Sequence, residues 1–196
     1  MNIYYEAGLV PLDLADVFVD DKLDEIFGEI LVDEKAKANK ELAVLEKVVG
    51  APSRIEQISK DIVSHFNNRP IEGKAMVVTM SRPIAVAMYQ AIKNIPGAPE
   101  CVVVISGMED FPGQIQSEHD VKKLEKRFKK VNDPLRIAIV CEMWLTGFDV
   151  PSLHTMYLDK PLKNHGLMQA IARVNRVYKD KPGGLIVDYI GVAESL

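Results

Sequence analysis

The stretch Ala75-Met76-Val77-Val78-Thr79-Met80-Ser81-Arg82-Pro83-Ile84-Ala85-Val86-Ala87-Met88-Tyr89-Gln90-Ala91-Ile92 reads as a strand, a polar turn and a helix in direct succession. Ala75 to Thr79 is an unbroken apolar run, too short for a helix and bounded by Gly73 and Ser81. Behind Ser81, a candidate N-cap, Ile84, Met88, Ala91 and Ile95 recur at helical spacing on one face. The same alternation extends outward. Cys101 to Ser106, Arg136 to Cys141, His154 to Leu158 and Leu185 to Tyr189 are further strand candidates. Behind Ser117, Val121, Leu124, Phe128 and Val131 form a second helical stripe. Strands that read as continuous apolar runs suit a parallel sheet covered on both faces, so the expected fold is an open, doubly wound α/β domain.

Upstream of Pro70 the pattern is helical. Val19, Leu23, Ile26 and Ile30 share one face, and Leu42, Leu45 and Val49 repeat the spacing weakly. Ser53 and Glu56 have the spacing of a capping box before Ile55, Ile58, Ile62 and Phe66. Ile3 to Glu6 could be a short strand leading in. These features place a helical lead-in at 1–70 and the sheet domain at 71–196, with Asn67-Asn68-Arg69-Pro70 as the joint.

The 196 residues are 47% hydrophobic and 27% charged, which suits a globular chain with a core rather than a disordered or fibrous one. No apolar run is long enough to span a bilayer, and no secretory signal pattern opens the sequence, so a cytoplasmic setting without a membrane is expected. Cys101 and Cys141 lie in apolar runs without a CxxC and read as buried thiols. The four histidines show no metal-binding spacing, and no metal site is expected. Net charge is -4, but it is uneven: residues 1–70 carry 8 basic and 14 acidic side chains, against 16 and 14 in residues 71–196. Any polyanion contact should therefore fall in the second part.

Open parallel sheets bind ligands at the carboxyl ends of their strands, so the residues just past each strand are the candidate site. Thr79, Ser81 and Arg82 follow one strand, and Thr146, Gly147 and Asp149 follow another by way of Trp144. On a helix containing Gln169 to Arg176, Leu167, Ile171, Val174 and Tyr178 form the buried stripe. Taking about 100° per residue, Gln169, Arg173 and Arg176 lie roughly 140–200° from Ile171, on the opposite face. A guanidinium fork suits phosphate oxygens, and a solvated helix face is the plainer alternative. Asp188 ends the last strand candidate and is left unassigned. There is no GxxxxGK[ST] loop and no D-E-x-H box, so the chain should not hydrolyse ATP alone.

In this order, VVTMSR at 77–82, TGFDVPSLHTMYLDKPL at 146–162 and QAIARVNR at 169–176 resemble motifs IV, V and VI of superfamily 2 helicases and translocases. With GGLIVDYIG at 183–191 and IYYEAGL at 3–9, the resemblance is closest to the restriction (R) subunit of type I restriction-modification enzymes and covers essentially the whole chain. It implies a RecA-like second motor domain, cut from a larger ATP-dependent, site-specific deoxyribonuclease and inactive alone. Arg173 and Arg176 would then be arginine fingers toward a γ-phosphate, with Gln169, Gly147 and Asp149 along the nucleotide cleft. Thr79, Ser81, Arg82 and Thr146 would hold the DNA backbone. ATP and Mg2+ would be held mainly by a first RecA-like domain, with duplex DNA and the methyltransferase and specificity subunits as partners. Ala172 stands where the broader pattern has glycine, which the R-subunit version tolerates. The basic run Lys122, Lys123, Lys126, Arg127, Lys129 and Lys130 reads as a solvated amphipathic helix, with a secondary DNA-backbone contact as the alternative. Two other readings compete: the second motor domain of another DNA or RNA helicase, and a non-enzymatic α/β interaction module.

Overall fold

The computed structural model describes residues 2–8, 34–70, 72–106, 118–145, 147–162, 165–176, 178 and 183–191. Six strands form one sheet: β1 (Asn2–Ala7), β2 (Lys74–Thr79), β3 (Glu100–Val104), β4 (Leu135–Val140), β5 (Leu153–Asp159) and β6 (Gly183–Asp188). Their order is β1-β6-β5-β2-β4-β3, and every neighbouring pair is parallel. All five sheet-domain strands read from the sequence are present, each shifted by a residue or two.

Alternate residues of each strand face opposite sides, and both sides are dry. On one side, Ala75, Val77, Ile137, Ile139 and Tyr157 pack under α2 (Pro52–Asn68) and α3 (Arg82–Lys93), through Ile58, Ile62 and Met88. On the other, Met76, Val78, Ala138, Val140, Met156 and Leu158 pack under α4 (Glu118–Lys129) and α5 (His165–Val174), through Phe128, Leu167, Ala170 and Val174. The residues of β2 and β5 are buried along their whole length, as a sheet sandwiched between helices requires.

The segments expected on either side of residue 70 share one sheet and one core. β1 is an edge strand of the same sheet, in register with β6 from Asn2↔Gly183 to Ala7↔Asp188. Val49 at the end of α1 (Glu34–Val49), together with Ile55, Ile58, Ile62 and Phe66 of α2, belongs to the sheet's own core. The helix expected over Val19 to Ile30 lies outside the described residues. The capping box fails. Helix α2 begins one residue before Ser53, with Pro52 in its first turn and Ala51, which has no side chain able to cap, at the cap position. Glu56 instead pairs with Lys60 one turn on, at 2.6 Å.

Lys74 is buried at the start of β2. Its ammonium donates to the carbonyls of Leu135 (2.6 Å) and Asp133 (3.3 Å) and lies 5.4 Å from the Phe128 ring centre. Burial lowers its pKa from 10.5 to about 8. Below about 8 the ammonium is charged in both folded and unfolded chains, and its desolvation cost is felt in full. As pH rises toward 10.5 the folded chain sheds the proton first, so this cost is progressively relieved. Wild type should therefore gain stability relative to Lys74→Met over that interval in denaturant titrations, and a pH-independent difference would contradict this.

Candidate functional site at the carboxyl edge of the sheet

Because all strands run the same way, the residues after β2 to β6 gather along one edge. The loop between β4 and β5 dominates it. Trp144 has φ 68°, a left-handed backbone rare outside glycine, and is held there by its ring. Its indole stacks on Phe148 (centroids 4.1 Å apart, 11° between planes) and lies 5.7 Å from Phe128 of α4. Gly147 is also left-handed, φ 70°, and a Cβ there would meet open space. Glycine is thus required by conformation and leaves bare backbone facing outward.

Helix α5 fastens this loop from the other side. Arg173 donates from Nε to the Leu145 carbonyl (3.1 Å) and from a terminal nitrogen to the Phe148 carbonyl (2.6 Å). Arg176 pairs with Asp149 at 2.9 Å, with the two side chains 43% and 52% exposed. The structure thus brings Gly147, Asp149, Arg173 and Arg176 together. Gln169 lies one helical turn before Arg173, half-buried. Thr146 lies outside the described residues. Helix α5 ends at Val174, so Arg176 projects from the segment after it, and the helical-wheel angle expected for it does not apply. Tyr178, expected on the buried stripe, likewise falls beyond the helix.

Where α5 ends is set by a close approach. A Cβ on Gly184 would lie 2.6 Å from the Val174 carbonyl oxygen and 2.7 Å from its carbon. Gly184→Ala must push the end of α5 off β6 and should cost about 1–3 kcal/mol in denaturant unfolding. An unchanged midpoint would show that the helix end yields freely.

Two of the residues expected on DNA sit differently. Thr79 is fully buried, and its hydroxyl lies between the carbonyls of Val140 (3.1 Å) and Ser81 (3.2 Å). It ties the end of β2 to β4, so its side chain faces inward rather than toward the carboxyl-edge surface. Ser81 occupies the N-cap position of α3 with extended backbone, but makes no side-chain cap bond, and its hydroxyl is buried without a partner. Arg82 is exposed beside a small cavity of about 40 Å3 lined by Ser106, Cys141, Glu142 and Met143. Lys160, the first residue after β5, approaches the same place, with its ammonium 3.4 Å from the Cys141 carbonyl and 4.0 Å from the Glu142 carboxylate. Sequence reasoning passed over Lys160, although its position directly after a strand was the signal. Burial raises the pKa of both thiols, Cys101 to about 11, which leaves them protonated and unreactive.

A larger cavity, about 470 Å3, opens at the opposite edge among Tyr4, Glu6, His65, Arg69 and His154. Its polar groups serve one another: His65 with the Tyr157 hydroxyl (2.7 Å) and Glu6 (3.3 Å), and Arg69 with the Thr155 hydroxyl (2.8 Å). Asp188 is structural as well, accepting from Tyr5 and from the N–H groups of Ile190 and Gly191. Among the described residues no group of three His, Cys, Asp or Glu could hold a metal, and no helix is long and apolar enough to cross a membrane.

A six-stranded parallel sheet, clad on both faces and carrying its charged loop at the carboxyl edge, gives the protein an open, doubly wound, RecA-like α/β fold. Comparison with solved structures agrees on the fold. A fragment described as an HsdR subunit of a type I restriction enzyme from Vibrio vulnificus YJ016 superposes with a TM-score of 0.60 at 15% identity, covering 98% of this chain and 32% of that one. The C-terminal part of the Fun30 ATPase domain gives 0.58 at 12% identity, covering 95% and 84%. A family model, type I restriction enzyme subunit R domain 3, matches residues 103–191. A Methanocaldococcus jannaschii protein, named as a type I restriction enzyme MjaIXP endonuclease subunit, is 52% identical over 99% of this chain and 20% of its own length. The chain belongs to the R-subunit family of type I restriction enzymes, and it spans about a fifth of the length of the curated relatives it matches.

Proposed function

We propose that this chain is the second motor domain of an ATP-dependent DNA translocase within a type I restriction endonuclease subunit. The observation that carries the reading is the exposed pair Arg176–Asp149 beside the bare backbone of Gly147, at the carboxyl edge of a motor-type sheet. An ion pair half open to water contributes only about 0–1 kcal/mol, so Arg176 can exchange Asp149 for a phosphate oxygen at little cost. Arg173 has a different part. Its two bonds to loop carbonyls make it the strut that keeps Gly147 and Asp149 in place, with its remaining donors available to the cleft.

These residues fit one side of a nucleotide's phosphates and cannot hold the nucleotide alone, since the chain has neither phosphate loop nor acidic metal box. ATP and Mg2+ would be held mainly by a first RecA-like domain of the same subunit, with Gln169 along the shared cleft. Bound ATP supplies the free energy of cleft closure, and the loop between β4 and β5 passes that closure to the DNA side. Arg82 and Lys160 would face the backbone of duplex DNA, with Thr146 joining them by its place in the motif. Contacts to phosphate carry no sequence information, which leaves site recognition to specificity and methyltransferase subunits.

The test is ATP turnover by a complete subunit carrying this domain, wild type against Arg176→Ala, with DNA binding followed in parallel. Turnover lost while DNA binding persists supports the reading. Near-normal turnover overturns the finger role.

A further inference from the structure

Helix α4 carries the densest basic run of the chain, and the structure sorts its cations into two groups. Arg127 is spent on Asp133 and Glu100, each at 2.8 Å. Lys129 pairs with Glu125 and stands 5.3 Å from the Phe148 ring centre, and Lys122 also has a partner. Lys123, Lys126 and Lys130 are exposed and make no ion pair among the described residues. They recur at i, i+3 and i+7, which places them within about 60° on one face and spreads them over roughly 10 Å of helix axis. Lys130 follows the helix's last residue, and its N–H still bonds the Arg127 carbonyl, so the row is continuous.

We infer that Lys123, Lys126 and Lys130 form a phosphate-binding ridge for duplex DNA, separate from the carboxyl-edge contacts. Three uncompensated ammonium groups in a row, on a chain whose net charge is -4, complement a regular polyanion and no neutral or basic partner. Lysines reach as point charges on flexible stems, which suits contacts that must form and release irrespective of sequence. The ridge is also anchored. Phe128, on the buried side of α4, is fully buried and packs against Trp144 and Phe148, the aromatic pair of the loop that carries Gly147 and Asp149. Force taken up by the lysines therefore reaches that loop through stacked rings rather than through a flexible connection.

The inference rests on the translocase reading for the identity of the polyanion, and one titration separates their failures. Binding of a complete subunit to duplexes of unrelated sequence is measured against salt for wild type, for the triple variant Lys123→Gln/Lys126→Gln/Lys130→Gln, and for Arg82→Gln/Lys160→Gln. Each phosphate contact contributes about 0.9 to the slope of log K against log salt, so the triple variant should lose about 2.7 from it. An unchanged slope in the triple variant, with a flattened one in Arg82→Gln/Lys160→Gln, overturns the ridge and leaves the motor reading intact. A wild type that binds no duplex overturns both.

Discussion

Alanine at Arg176 should lower ATP turnover of a complete subunit by a factor on the order of a thousand or more, the range associated with loss of an arginine finger. The expectation follows from how little holds this side chain where it is. Among the described residues its one bond is to Asp149, and both partners are about half in water. Folding stability should consequently be unaffected, which separates a catalytic loss from a folding loss. Arg173 should behave otherwise. A lysine there keeps the charge but cannot reproduce a fork that reaches two carbonyls from one plane, so Arg173→Lys should loosen the loop and fail to restore turnover. Arg176→Lys, by contrast, should retain part of the activity, because a point charge still meets a phosphate. Equal behaviour of the two lysine variants would erase the distinction between strut and finger.

The core of the fold was legible because burial on both faces writes itself into a sequence as short apolar runs, such as Ala75 to Val78 in β2 and Ile137 to Val140 in β4, whereas β5 buries His154 and Thr155 among its apolar residues. What escaped were relations between distant segments. Ile3 to Glu6 showed strand character, but its partner lies about 180 residues away in β6, and no local pattern announces that pairing. Local rules misled where two signals competed. Pro52 in the first turn displaced the Ser53 capping box, and a helical period extrapolated past Val174 assigned Arg176 to a face it does not occupy. At the site, motif order brought Gly147, Asp149, Arg173 and Arg176 to one loop, where the structure joins them. The inward turn of Thr79 could not be read, since a strand-end hydroxyl looks the same whether it faces a carbonyl or water. Lys160, though its place after β5 was readable, and the stack of Phe128, Trp144 and Phe148 emerge only once β4 and β5 lie in register with β2.

Arg54→Met should destabilise the chain by about 3–5 kcal/mol, the usual consequence of removing one partner from a buried ion pair. Arg54, on α2, is 4% exposed and Asp159, the last residue of β5, is 0% exposed, with 2.7 Å between them. The same guanidinium bonds the carbonyls of Val49 and Tyr189, so it joins α1, α2, β5 and the segment after β6 at one point. Burial raises the pKa of Asp159, Arg54 draws it back down, and neighbouring Asp188 raises it again. With the folded value above that of the unfolded chain, the folded state takes up the proton first as pH falls, and stability rises through that interval. Loss of Arg54 widens the interval, so the deficit of Arg54→Met against wild type should shrink as pH falls below neutrality. Arg54→Met/Asp159→Leu should recover much of the loss, because no lone charge is left buried. A single variant within about 1 kcal/mol of wild type, or a deficit indifferent to pH, would mean that water reaches Asp159. Since Lys160 follows Asp159 directly, the same pair fixes where the first charged side chain beyond β5 meets the carboxyl edge, and slackening it should weaken salt-dependent DNA binding along with stability.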